Sequence, residues 1–74
     1  MIDPSKLDYE KIIEILRCKK HGEMVTSLDI KAALRNINAI DSILHVSFYE
    51  VHAIFDMLIV LGVIDEENLL IITP

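Results

Sequence analysis

Residues 48–64 read FYEVHAIFDMLIVLGVI, and this stretch decides the fold. Ser47 precedes it and Glu50 follows three residues later, the spacing of a capping box that opens a helix. Gly62 supplies the residue type that closes one. The spacing therefore predicts a helix from Phe48 to about Leu61. Phe48, Val51, Phe55, Leu58, Ile59 and Gly62 share one apolar face, and His52 sits on the apolar face of this helix. Ile54, Met57 and Leu61 form a second face, and Val60 lies between the two. Glu50, Asp56 and the small Ala53 give the only polar stripe. A helix apolar nearly all round is buried nearly all round.

Working outward, Val63–Ile64 reads as a short strand, Asp65 to Asn68 as a turn, and Leu69 to Thr73 as a second strand. Ahead of the decisive helix, Ala39 to Val46 carries Ile40, Ile43 and Leu44 at a spacing that suits a short helical turn. A second helix carries Leu28, Ile30, Ala33, Leu34 and Ile37, with Thr26 or Ser27 as its N-cap and Asn36 and Asn38 at its fading end. The first helix opens at Pro4 and Ser5, with Ser5 as N-cap. It places Tyr9, Ile12, Ile13 and Leu16 on one face, Leu7 and Ile15 widening it. Lys19, Lys20, His21 and Gly22 end it, cations suiting the negative end of the helix dipole. Three helices followed by a two-stranded hairpin is the order of a winged helix. The expected fold is one domain, residues 1–74, mainly α with a small β-hairpin.

Seventy-four residues bury only about 60% of their unfolded surface. Yet 53% of the residues are hydrophobic, and the mean hydropathy is +0.44. Typical soluble domains are roughly 45–50% apolar even with glycine included. The surplus has to line a membrane or meet a partner. A spanning helix needs about 20 apolar residues, whereas the uncharged run Met57 to Ile64 has eight and includes Gly62. The opening residues lack the basic start and apolar middle of a signal peptide. The expectation is a soluble, cytoplasmic protein that does not enter a membrane. Cys18 is the single cysteine, so no internal disulfide forms, and its place in the first helix reads as a small buried hydrophobe.

Winged helices often read DNA with the third helix and wing, through Lys and Arg on phosphates. Here all seven basic residues lie at or before Arg35. Residues 36–74 hold six acids and no Lys or Arg, and the net charge is −5. That face is expected not to bind nucleic acid. The third helix instead presents two apolar faces, of which helices one and two can cover one. Either the hairpin or a partner covers the other. Leu69, Leu70, Ile71 and Ile72 make the last strand apolar on both sides, which favours a partner. Such a strand at a sheet edge also invites strand addition.

Catalytic constellations are missing. His45 and His52, or Cys18 and His21, give no zinc spacing with a second pair. Asp65, Glu66 and Glu67 read as a solvated turn rather than a calcium loop. His52 reads as a core or interface histidine. Two glycines leave no phosphate loop, and no Ser/His/Asp set can be placed. No cofactor and no metal is expected, and the chain is read as no enzyme.

The segment IFDMLIVLGVI after an aromatic-led helix start, the acidic turn, LLIIT, and the opening PSKLDYEKIIEILR together resemble the small middle components of bacterial ABC-three-component systems, the Lamassu-like anti-phage operons. The sequence departs from that pattern at Ile59, where an aromatic is common, and at Val63, where a polar residue is frequent. The resemblance implies a winged-helix-like accessory or adaptor subunit of an anti-phage defence complex, linking an SMC- or RecN-like ATPase to an effector.

The function expected is protein binding through helix three and the C-terminal hairpin, anchored by Phe48, Phe55, Met57, Leu58, Leu61, Leu70 and Ile72, since large apolar side chains dominate interface energetics. Two other readings compete. One is a homodimeric winged-helix regulator that binds nucleic acid through Lys19, Lys20, Lys31 and Arg35. The other is a small acidic phage inhibitor or antitoxin that occupies a basic surface.

Overall fold

A computed structural model of the chain describes residues 2–19, 23–67 and 70. Among these it has three α-helices: α1 (Tyr9–Lys19), α2 (Ser27–Asn36) and α3 (Phe48–Val60). A 3-10 turn, Pro4–Lys6, precedes α1, and a second, Ile43–His45, lies between α2 and α3. The radius of gyration is 11.1 Å, close to the roughly 11 Å that a compact chain of this length adopts.

The helix boundaries follow from side chains that compete for free backbone groups. Asp3, not Ser5, does the first such work. Its Oδ1 accepts from the Ser5 amide at 3.0 Å and from the Ser5 hydroxyl at 2.7 Å. Pro4 has its φ already fixed for the first helical position, so Asp3–Ser5 closes a separate 3-10 turn instead of starting α1. The Tyr9 hydroxyl donates to the Pro4 carbonyl and holds that turn against the helix. Asp8 then stands at the head of α1, accepting from the Lys11 amide at 3.3 Å.

Helices α2 and α3 are framed alike. Thr26 and Asp29 form a capping box at α2, and Ser47 and Glu50 form one at α3. At the far ends, the Asn38 and Ala39 amides donate to the Arg35 and Leu34 carbonyls, while the Gly62 and Val63 amides donate to the Ile59 and Leu58 carbonyls. Both are Schellman closures, and both need a left-handed residue. Asn38 takes it at φ 61° and Gly62 at φ 75°.

The core is one cluster. It gathers Ile12 and Leu16 from α1, Val25, Ile30, Ala33 and Leu34 from around α2, Val46, Val51, Ile54 and Leu58 from around α3, and Val63 and Ile64 beyond it. Helix α2 packs against both α1 and α3, and the Pro4–Lys6 turn packs on α3. Cys18 is exposed, contrary to the expectation of burial. It sits two residues, about 200° of helix rotation, from buried Leu16.

The expected two-stranded wing is not what the described residues form: they contain no strand. Ile64 and Leu70 occupy single bridge positions, Met24 and Leu70 pair in an isolated antiparallel bridge, and the Asp65 amide donates to the Leu70 carbonyl at 2.9 Å. The reason lies at Val63. Its amide is spent on the α3 closure, and both its side chain and that of Ile64 are buried, so the pair plugs the core rather than alternating as a strand would. Of the expected second strand, Leu69 and residues 71–73 lie outside the described residues, as do Lys20, His21 and Gly22 after α1 and Asn68 in the turn. No described helix is long and apolar enough to cross a membrane.

Candidate interaction surface

Helix α3 places its side chains in three arcs. Val51, Ile54 and Leu58 point into the core. This buried stripe runs between the two faces expected from the sequence and takes one member or more from each. Phe55 and Ile59 border it and are partly buried against the core. Outside them lie Phe48, 74% exposed, Tyr49 at 83% and Val60 at 80%, with Leu61 half-exposed. Leu44, in the 3-10 turn just before α3, is 86% exposed. Large apolar groups left this open on a small domain are associated with protein contact.

At the N-terminal end of α3 the aromatics touch. The Phe48 and Tyr49 rings meet edge to face with centroids 6.0 Å apart, and Phe48 lies 5.8 Å from the His52 ring. His52 is therefore exposed beside Phe48 rather than held in the core, and its Nδ1 stands 3.5 Å from the Asp56 carboxylate.

Two depressions flank the helix. The larger, about 460 Å³, lies between α2 and α3. Val51, Phe55 and Ile59 form its floor with Phe48 and His52 along it. Ser27 and Lys31 line it from α2, Asp56 from α3, and Glu66 from the segment beyond α3. The second, about 390 Å³, lies beside the N-terminal turn, where Asp3, Pro4 and Ser5 face Ala53, Met57 and Val60.

Glu50 fixes the start of α3 in place. Its Oε1 accepts from the Ser47 amide at 3.1 Å, and its Oε2 accepts from the Ile2 amide at 3.1 Å. The hydrogen bonds with Ser47 hold its carboxyl below the usual value; burial opposes them, and the hydrogen bond from Ile2 adds a lesser lowering. Asp3 is lowered likewise by the Ser5 hydroxyl and amide. Tyr9 is raised, first by burial and then by the Asp3 charge. Asp3 lines the second depression with Ser5 and Asp56, and Glu50 lines a smaller one with Asp41 and His45. Among the described residues no group of three His, Cys, Asp or Glu side chains could hold a metal ion.

Of the seven anchors read from the sequence, Phe48 and Leu61 are exposed, and Phe55, Met57 and Leu70 are intermediate. Phe55 borders the larger groove and Met57 the smaller. Leu58 is fully buried and belongs to the core, because it shares the stripe of Val51 and Ile54. Ile72 lies outside the described residues. The sequence reading missed Tyr49, Val60 and Leu44 as open apolar groups, and Lys31 and Glu66 as groove-lining residues. The signal for Tyr49 and Val60 was available: each stands about 160–180° from Val51 on a helical wheel. Comparison with known proteins adds nothing to this geometry: no family model matches the chain, and neither a curated protein nor a solved structure does.

Proposed function

We propose that this protein is a non-catalytic accessory subunit that binds a partner protein through α3. One observation carries the reading: the core takes only the Val51–Ile54–Leu58 stripe, while Phe48, Tyr49 and Val60 of the same helix stay open to solvent. Such side chains are the kind that dominate interfaces when covered. The resemblance to ABC-three-component middle subunits gives the reading its finer form, an adaptor between an SMC- or RecN-like ATPase and an effector in an anti-phage complex. Within that form, the segment closing at Leu70 acts as a reduced wing, consistent with the Asp65–Leu70 hydrogen bond and the Met24–Leu70 bridge.

The test is co-expression with the products of the neighbouring genes, followed by copurification and mass determination in solution. A neighbour is expected to copurify with the wild-type chain and to be lost with Phe48→Ser combined with Val60→Ser, while the far-ultraviolet circular dichroism stays unchanged. A free chain that is a clean monomer, binds little hydrophobic dye and retains no neighbour overturns the reading.

A further inference from the structure

The groove between α2 and α3 has a chemistry that narrows its occupant. Phe48, Phe55 and Ile59 run along it at intervals of seven and four residues, a rise of about 16 Å at 1.5 Å per residue, or three helical turns. Its floor is the side of a helix whose backbone groups are already spent on α3 itself. An extended peptide laid there would bury N–H and C=O groups with nothing to pair with. A helix carries its own pairing, and the row of large apolar side chains fits the i, i+4, i+7 face of an amphipathic one.

The lining residues set the charges. Asp56 and Glu66 line the groove with Lys31 as its one Lys or Arg, and residues 36–74 carry no Lys or Arg. A second copy docked by this same face would bring its own Asp56 and Glu66 to a groove that already holds those two acids beside the single Lys31, on a protein of net charge −5. The complementary surface is basic where it meets Asp56 and Glu66.

We propose that the α2–α3 groove receives an amphipathic helix from a partner protein, apolar along the stripe that meets Phe48, Phe55 and Ile59. Lys or Arg lies along the edge facing Asp56 and Glu66, and an acid faces Lys31. The inference rests on the partner-binding reading above and gives that partner its chemistry.

The probe is a display library of three- to four-turn helical peptides with varied surface positions, panned on the 74-residue chain. The strongest binder is then synthesised and measured by fluorescence anisotropy and by amide chemical shifts. Enriched peptides are expected to share an apolar i, i+4, i+7 row with a basic flank, to bind more weakly as salt rises, and to perturb Phe48, His52, Phe55 and Ile59. Phe48→Ser should weaken binding at least tenfold. The double variant Asp56→Lys with Glu66→Lys, both exposed positions, should turn the selection toward acidic helices. No enrichment, acidic or uncharged binders to the wild-type chain, or shifts mapped away from the groove each overturn the inference. So does a wild-type dimer that Phe48→Ser dissociates. If basic helices fail while capture of a gene neighbour still requires Phe48 and Val60, the partner-binding reading stands and the groove assignment falls.

Discussion

Helices α2 and α3 are built to one plan and end in different circumstances. Each begins with a capping box, each closes in a Schellman turn, and each sends three side chains fully into the core: Ile30, Ala33 and Leu34 from α2, Val51, Ile54 and Leu58 from α3. Their outer surfaces differ. Around the buried stripe of α2 stand Asp29, Lys31, Arg35 and Asn36, with Leu28 as its one large exposed apolar group. Around that of α3 stand Phe48, Tyr49, Val60 and half-exposed Leu61. Folding places the same demand on both helices, a stripe about three residues deep, and α2 is apolar to that extent. The additional apolar character of α3 is not consumed by the fold, and the proposed partner binding is what would use it.

The equivalence at the core is the first point to attack. Leu34→Ala and Leu58→Ala should each cost about 2–5 kcal/mol in chemical denaturation, since each empties a fully buried site. A cost for Leu58→Ala as small as that of a surface change would mean α3 is held by something other than this core. At the N-caps the helices should diverge. Thr26→Ala removes a local cap worth about 1 kcal/mol. Glu50→Ala removes a cap and the Ile2 hydrogen bond together, so it should cost more than Thr26→Ala, by about 0.5–1.5 kcal/mol. Acid sharpens that difference. The folded-state carboxyl of Glu50 lies below its ordinary value. Its contribution is therefore present above that value and fades as pH falls through the lower, folded one. A stability–pH curve for Glu50→Ala should be flatter than wild type in that acid range.

At the C-caps, Gly62→Ala should cost about 1 kcal/mol. An added Cβ meets no neighbour there, so the penalty is the φ of 75° alone. Asn38→Gly, at φ 61°, should move stability in the opposite direction by less than 1 kcal/mol. Smallest of all, Leu28→Ser on α2 and Phe48→Ser on α3 should each alter stability by less than about 0.5 kcal/mol. Only the second should reduce hydrophobic dye binding measurably. Equal loss of dye signal from both would erase the distinction between the two helices.

Much of the helical frame was legible in the sequence because it is local. Ser47 and Glu50, Thr26 and Asp29, Asn38 and Gly62 act within a few residues of themselves, and the structure uses each at a helix end. The start of α1 was read too early, at Ser5, because Pro4 and Asp3 could close a turn of their own before Asp8. The wing was misread for a similar reason. A β-branched pair after a glycine looks like a strand until one sees that the Val63 amide belongs to the preceding helix. The surface of α3 was half legible. Its excess of apolar groups showed in the sequence, yet which arc turned inward depended on where α2 sits. That choice buried Leu58, opened Phe48 and His52, and left Cys18 exposed against expectation. Lys31 and Glu66 reach the groove from segments far apart in the chain, and no local pattern announces such a meeting.

The bridge between Met24 and Leu70 also sets an order of assembly. Its partners are 46 residues apart, 70 minus 24, whereas every capping box and helix closure acts within six residues. Loop-closure entropy makes such a distant junction costly to form before the helices have docked. By this reasoning the junction, like the Ile2–Glu50 hydrogen bond across 48 residues, forms after the helices have docked. Glu66, which lines the groove, is carried on the segment that the junction secures. A bound helix that engages Glu66 would therefore slow hydrogen exchange at the Asp65 amide, which the Leu70 carbonyl holds. Occupancy of the surface would be readable as a change in the lifetime of one backbone hydrogen bond.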